Sequence, residues 1–273
     1  MNKKLISILL LTFSLLMNAE DFTEKSLENE AVMAVNWFQT SGEYKALSYQ
    51  AFNTAKESFL KIRTNYIGEN KLAVVVDLDE TMVDNSPYAA WRILEGKSFS
   101  GTTWDERLDA RDAKAIAGAI EFSKFINSNG GEMFYVSNRT TGKLKETMKN
   151  LKSLGFSKVN KDHIYLKETT SDKTKRREEI KSRGYEIAML VGDQLTDFSN
   201  EVYHRSNDYR NDFADSNNMK FGKNWIVIPN PTYGDYEGSG VNLEYYTKMT
   251  GAASSEKEKS DMRLSRLKIW DGE

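Results

Sequence analysis

The sequence predicts an α/β fold, a mostly parallel sheet with helices on both faces joined to a smaller, mainly helical cap. Two observations carry this. From Lys71 onward, short apolar runs rich in β-branched residues alternate with segments of helical period, the pattern of successive βαβ units. Residues 85–112 then interrupt the alternation with an aromatic, charged insert containing Tyr88, Trp91, Phe99 and Trp104.

Before the alternation begins, Val32, Val35, Phe38, Leu47, Phe52, Ala55, Phe59 and Ile62 recur at three- and four-residue steps. Thr40-Ser41-Gly42 divides this region into two helices. Leu72–Val76 reads as the first strand. A helix follows from Ala113 to Asn127, ending at Asn129-Gly130-Gly131, and then a strand over Met133–Val136. Lys143–Leu154 is helical and closed by Gly155. Ile164–Leu166 is a short strand, Thr174–Arg183 a helix closed by Gly184, and Ile187–Val191 and Trp225–Ile228 are strands. The expected organisation is a leader over 1–19, N-terminal helices over 20–70 forming part of the cap or an interface, a catalytic core over 71–235 with its insert at about 85–112, and a charged helical or flexible tail over 236–273.

Composition narrows the chemistry. The 38 Lys and Arg nearly balance the 40 Asp and Glu, so no basic field favours a nucleic-acid polymer. With no Cys there are no disulfides, thiolate zinc sites or cysteine nucleophiles. The two histidines, His163 and His204, form no histidine-nucleophile motif, so acid–base work falls to carboxylates or lysine. Lys3-Lys4 followed by an apolar run from Leu5 to Met17 and a small residue at Ala19 reads as a secretory signal peptide, the run being shorter than the ~20 residues of a membrane span. The expectation is an exported, periplasmic or secreted protein. Lacking Cys, it has no lipoprotein anchor and no stable membrane attachment.

Asp77-Leu78-Asp79-Glu80-Thr81 follows directly on the first strand. Side chains two residues apart on extended chain point the same way. Carboxylates this close raise each other's proton affinity unless a cation lies between them, and Mg²⁺ is a fitting oxygen-seeking partner. They stand at a strand's carboxyl end, where open α/β sheets bind ligands. The next strand runs into Ser137-Asn138-Arg139, whose hydroxyl and backbone N–H groups suit a phosphoryl oxygen. Lys173 opens a helix, a position that opposes the helix dipole and makes sense if its ammonium reaches a bound anion. Lys175 and Arg177 read instead as a solvated basic face. Ile187–Val191 leads into Gly192-Asp193-Gln194-Leu195-Thr196-Asp197, a second acidic strand end.

The ordered set D-x-D-x-T, strand-end Ser, helix-start Lys and G-D-x-x-x-D resembles the haloacid dehalogenase (HAD) superfamily. Asp84-Asn85-Ser86-Pro87-Tyr88, Trp104-Asp105, Tyr135 to Arg139, Val191-Gly192-Asp193, Phe221-Gly222-Lys223 and Pro229 to Gly234 are similar to the class C acid phosphatases, the lipoprotein e-like 5′-nucleotidases. The resemblance spans about Ala31 to Gly238. It implies a HAD-like Rossmannoid core and phosphomonoester hydrolysis, with nucleoside 5′-monophosphates and aryl phosphates as substrates. Asp77 is then the nucleophile that forms an aspartyl-phosphate, and Asp79 the general acid and base. Mg²⁺ would be held by Asp77, the backbone carbonyl of Asp79, and Asp193. Ser137, Asn138 and Lys173 would hold the phosphate, with Asp197, Thr81 and Arg139 in support. Tyr88, Trp91, Tyr233 and Tyr236 are the candidates for stacking a base. The family also suggests a homodimer. Two alternatives stay open: phosphotransfer from the same site, and a non-catalytic nucleotide- or metal-binding or storage role.

Overall fold

The computed structural model describes residues 22–238, 255–270 and 272. The leader assigned to residues 1–19 lies outside them. Among the described residues three helices come first, α1 (Glu24–Asn29), α2 (Val32–Thr40) and α3 (Gly42–Asn65). Periodicity alone suggests two. The additional one arises because Thr23 and Ser26 satisfy each other's backbone N–H groups in a capping box and start a short helix of their own. The break at Thr40–Gly42 lies where expected, with Ser41 capping α3 by accepting a hydrogen bond from the Tyr44 N–H.

Strand β1 (Lys71–Val76) is buried from Leu72 onward. A two-residue strand, β2 (Val83–Asp84), leads to α4 (Ser86–Glu95) and α5 (Gly101–Ala110). Strand β3 (Lys114–Ala115) then returns antiparallel beside β2. The helix expected from Ala113 begins only at Ala119, as α6 (Ala119–Ser128). Gly118 takes a φ of +89°, open to glycine and strained for other residues, and Lys114–Ala115 is used as strand instead. The chain continues through β4 (Gly131–Thr140), α7 (Leu144–Leu154), β5 (Ile164–Lys167), α8 (Thr174–Ser182), β6 (Tyr185–Gly192), α9 (Asn207–Ser216), β7 (Trp225–Val227), α10 (Asp235–Gly238) and α11 (Glu256–Leu264).

The five longer core strands form one parallel sheet in the order β5-β4-β1-β6-β7. The period-two alternation of β1 divides the core. Leu72, Val74 and Val76 face Phe52 and Phe59 of α3 and Phe122 and Ile126 of α6. Ala73 and Val75 face the opposite layer, with Phe134, Ile180 and Phe198. Both faces are covered, so the strands read as continuous apolar runs. Gly131 is required at the start of β4, since a Cβ there would lie 2.5 Å from the Phe59 ring and 2.8 Å from Ile126.

From β1 the chain moves outward to β4 and β5, then crosses to β6 and β7 on the other side. The reversal leaves a crevice outside the carboxyl ends of β1, β4 and β6. Helices α4 and α5 supply Tyr88, Arg92 and Trp104 to the cavity at that edge. Helix α1 is tied to α4 by Glu28 and Arg92, and α11 to α1 by bonds from Ser260 and Arg263 to Glu30. No helix among the described residues is long and apolar enough to cross a membrane.

Candidate active site

Asp77 begins where β1 ends, and its N–H still bonds the Val191 carbonyl at 2.9 Å, so the two acidic strand ends are locked side by side. Carboxylate oxygens of Asp77, Asp193 and Asp197 lie within 4.8 Å of one another. Gly192 makes this possible, because a Cβ at that position would collide with the Asp197 side chain. Thr81 donates to Asp193 Oδ1 at 2.8 Å, and Gln194 and Asn230 each donate to Oδ2 at 2.9 Å.

The Lys173 ammonium reaches across from the start of α8 to Asp77 and to Asp197, the latter at 2.7 Å. Burial alone would lower its proton affinity, but the two carboxylates raise it above the ordinary lysine value. Asp77 is pushed well above the usual carboxylate range, by burial first and by Asp197, Asp193 and Asp79; Lys173 opposes the shift. Asp193 is pushed up to about 6 by burial and then by Asp197. Three buried carboxylates against one ammonium leave uncompensated negative charge among hard oxygen donors. That set fits a divalent cation.

Asp79 is held differently. Arg139 Nη2 lies 2.6 Å from its Oδ1, Arg139 Nε 3.1 Å from both oxygens, and Asn85 Nδ2 2.7 Å from Oδ1. Its carboxylate is thus tied to Arg139 and Asn85 and is not one of the three clustered acids. A cavity of about 540 Å³ contains Asp77, Asp79, Lys173, Asp193, Tyr88 and Tyr233 on its lining.

Several expected residues sit elsewhere. Ser137 is fully buried and its hydroxyl does not line the cavity. It lies 3.4 Å from Asp79 Oδ2 and accepts from the Arg139 N–H at 3.1 Å. Asn138 does line the cavity. Trp91 packs beside Tyr88 but lines a neighbouring cavity of about 580 Å³, with Gln39 and Glu106, that meets the Asp77 cavity at Ser86 and Tyr88. Tyr236 donates to the Pro231 carbonyl at 2.8 Å and lines a third pocket with Asn207 and Arg210. Tyr88 and Tyr233 reach the Asp77 cavity, each with its hydroxyl already engaged, by Thr103 at 2.8 Å and by Glu80 respectively.

Three residues were overlooked by the sequence argument. Arg177, expected in solvent, is 9% exposed and donates to the Asp197 carbonyl at 2.8 Å; Lys175 is exposed as expected. Arg176 donates to the Ser137 carbonyl at 2.6 Å and to Asn138 Oδ1 at 2.8 Å, fixing the exit loop of β4. Glu80 is buried at a left-handed φ of +57° and accepts from the Asn85 N–H at 2.8 Å and from the Tyr233 hydroxyl. Burial, and then neighbouring Asp79, raise its proton affinity well above the ordinary value.

The family described as HAD superfamily, subfamily IIIB (Acid phosphatase) matches residues 11–236. The chain belongs to that family. Among solved structures, the class C acid phosphatase of Bacillus anthracis superposes with a TM-score of 0.82 at 37% identity, covering 90% of this chain and 99% of the other. A structure of that enzyme with tungstate bound superposes at 0.81 and 36% identity. A stem 31 kDa glycoprotein of Glycine max is 28% identical over 60% of this chain, and acid phosphatase 1 of Solanum lycopersicum 25% over 45%. These matches cover 63% and 50% of the two plant proteins' own lengths. Family membership brings the fold, a parallel sheet flanked by helices, together with a divalent-metal phosphatase lineage.

Proposed function

We propose that this protein is an exported, Mg²⁺-dependent phosphomonoesterase acting on nucleoside 5′-monophosphates and aryl phosphates through an aspartyl-phosphate, and that it works as a homodimer. The observation that carries the reading is the placement of Asp77 in one cavity with Lys173 and the acidic cluster of Asp193 and Asp197. The tungstate bound by the Bacillus enzyme, an oxyanion of phosphate-like shape, supports it by similarity.

In this mechanism Asp77 attacks phosphorus with the oxygen not engaged by Lys173. The ester P–O bond breaks as the new P–O bond to Asp77 forms. Asp79 gives its proton to the leaving alcohol and then takes one from the water that releases phosphate. Arg139 and Asn85 keep Asp79 aimed at that position. Lys173, with N–H groups from the loop after β4 that Arg176 anchors, offsets charge on the phosphoryl oxygens. Asp77, the Asp79 carbonyl and Asp193 would hold Mg²⁺, whose contribution is to screen the approach of carboxylate to phosphate. Asp197 orients Lys173, and Thr81 orients Asp193.

The test is phosphate release from a nucleoside 5′-monophosphate and from phenyl phosphate, with Mg²⁺ and with a chelator, by wild type and Asp77→Asn. Wild type turns over both in a metal-dependent way, and Asp77→Asn loses at least about a thousandfold, as removal of a covalent nucleophile does. Near-wild-type turnover by Asp77→Asn would remove the nucleophile assignment.

A further inference from the structure

Helix α11 (Glu256–Leu264) lies beyond the residues that match the family, yet it reaches the mouth of the site. A second chamber of about 480 Å³ adjoins the Asp77 cavity and shares Arg92, Asn138, Thr196 and Tyr233 with it. Its outer wall includes Leu27 of α1 and Lys259 and Arg263 of α11. Helix α11 is fixed there by Ser260 and Arg263, which bond Glu30, and by Arg263, which also bonds Glu237.

The chamber's lining carries three cations, Arg92, Lys259 and Arg263, and three anions, Glu28, Asp235 and Glu237, and these are not paired alike. Each of its anions is held by an arginine: Glu28 by Arg92 at 2.7 Å, Glu237 by Arg263, and Asp235 by Arg210 at 3.3 Å. Lys259 is different. Among the described residues its ammonium is paired only with Glu256, one turn back on its own helix, at 3.3 Å. A pair between residues three apart on one helix contributes only a few tenths of a kcal/mol (~0.2–0.5), and the Lys259 and Glu256 side chains keep 14% and 28% of their surface open, so another anion can compete for the ammonium.

We propose that Lys259 is a specificity-determining residue, and that the substrates favoured by this site carry a second anionic group, a carboxylate or another phosphate, at the end remote from the ester. The proposal rests on the phosphomonoesterase reading and deepens it. The reacting phosphate occupies the inner cavity at Asp77, the body of the leaving group passes Asn138 and Tyr233, and the distal anion displaces Glu256 from Lys259.

The experiment compares alkyl phosphates with ω-carboxyalkyl phosphates of the same chain length, over a series of lengths, with phenyl phosphate as reference. Wild type prefers the carboxylated member at one or more lengths, by roughly five-fold in kcat/KM, the size of a partly exposed charge pair. The preference falls with added salt. Lys259→Gln removes it, leaving phenyl phosphate turnover and the melting temperature unchanged. Glu256→Gln, which frees the ammonium, enlarges it. A preference that is absent at every length, or that survives in Lys259→Gln, overturns the proposal while leaving the phosphatase reading intact. Wild type that fails on phenyl phosphate as well overturns both.

Discussion

Replacing Lys173 by Met tests how the acidic cluster is held before any ligand arrives. The ammonium is 6% exposed, Asp77 11% and Asp197 7%, so the pairs it makes are screened little by water. Removing one partner of such a buried pair costs roughly 3–5 kcal/mol, because the abandoned charge stays desolvated. For a domain of this size that is a loss on the order of 10 °C in melting temperature. The cost depends on pH in a definite direction. Burial and the neighbouring carboxylates already raise the proton affinity of Asp77. Without Lys173, which opposes them, the folded-state value rises further. A carboxyl whose folded pKa lies above its unfolded value contributes stability that is present at low pH and lost as pH rises through the folded value. The part of the Lys173→Met defect that comes from Asp77 is therefore smaller at pH 5 than at pH 7.5. Urea unfolding of metal-free wild type and variant at the two pH values measures it. A difference below about 1 kcal/mol at pH 7.5, or one that does not shrink at pH 5, would refute the account of the ammonium as the counter-charge of the cluster.

Three further outcomes follow from the same coordinates. Asp193, at about 6, is protonated at pH 5 and ionised at pH 7.5, so the metal-free protein loses its contribution to stability as pH rises through that value. A divalent cation replaces the proton, and the gain in melting temperature on adding Mg²⁺ is larger at pH 7.5 than at pH 5; equal gains would show that Asp193 is not a ligand. Gly131→Ala drives a methyl against Phe59 and Ile126, and costs roughly 1–3 kcal/mol by overpacking in denaturant melts. Trp91→Ala leaves the ratio of nucleotide to phenyl phosphate KM unchanged, because its ring is not on the lining of the Asp77 cavity, whereas Tyr88→Ala raises the nucleotide KM selectively in steady-state kinetics.

Some of this was legible in the sequence because local signals coincide. A buried strand is a run of apolar residues, and a ligand-binding strand end is an acid immediately after it; β1 with Asp77 and β6 with Asp193 present both within a few residues. Side-chain direction was not legible. Ser137 stands at the strand end, but its hydroxyl accepts from the Arg139 N–H and lies 3.4 Å from Asp79, a residue fifty-eight positions earlier that Arg139 holds in place. The four candidate aromatics divide for the same reason: Tyr88 and Tyr233 line the Asp77 cavity while Trp91 and Tyr236 line neighbouring ones, and composition cannot tell the positions apart.

Helix α8 shows a different failure, one of reading rather than of information. Lys173, Arg176, Arg177 and Ile180 follow the i, i+3, i+4, i+7 spacing of a buried helical stripe, and all four are buried. Of these three cations Lys173 is legible as one that reaches an anion, whereas Arg177 looks like part of a solvated face if charge is weighed before period. They are tolerable inside because the carboxyl edge of the sheet is rich in acceptors. Lys173 finds two carboxylates, Arg176 the Ser137 carbonyl and the Asn138 side chain, and Arg177 the Asp197 carbonyl. A buried charge is stable only with partners of this kind. A cationic stripe at helical period opposite two acidic strand ends is therefore itself a signature of a site that handles charge. In this chain that stripe fixes both the loop after β4 and the loop after β6, the two segments that border the Asp77 cavity.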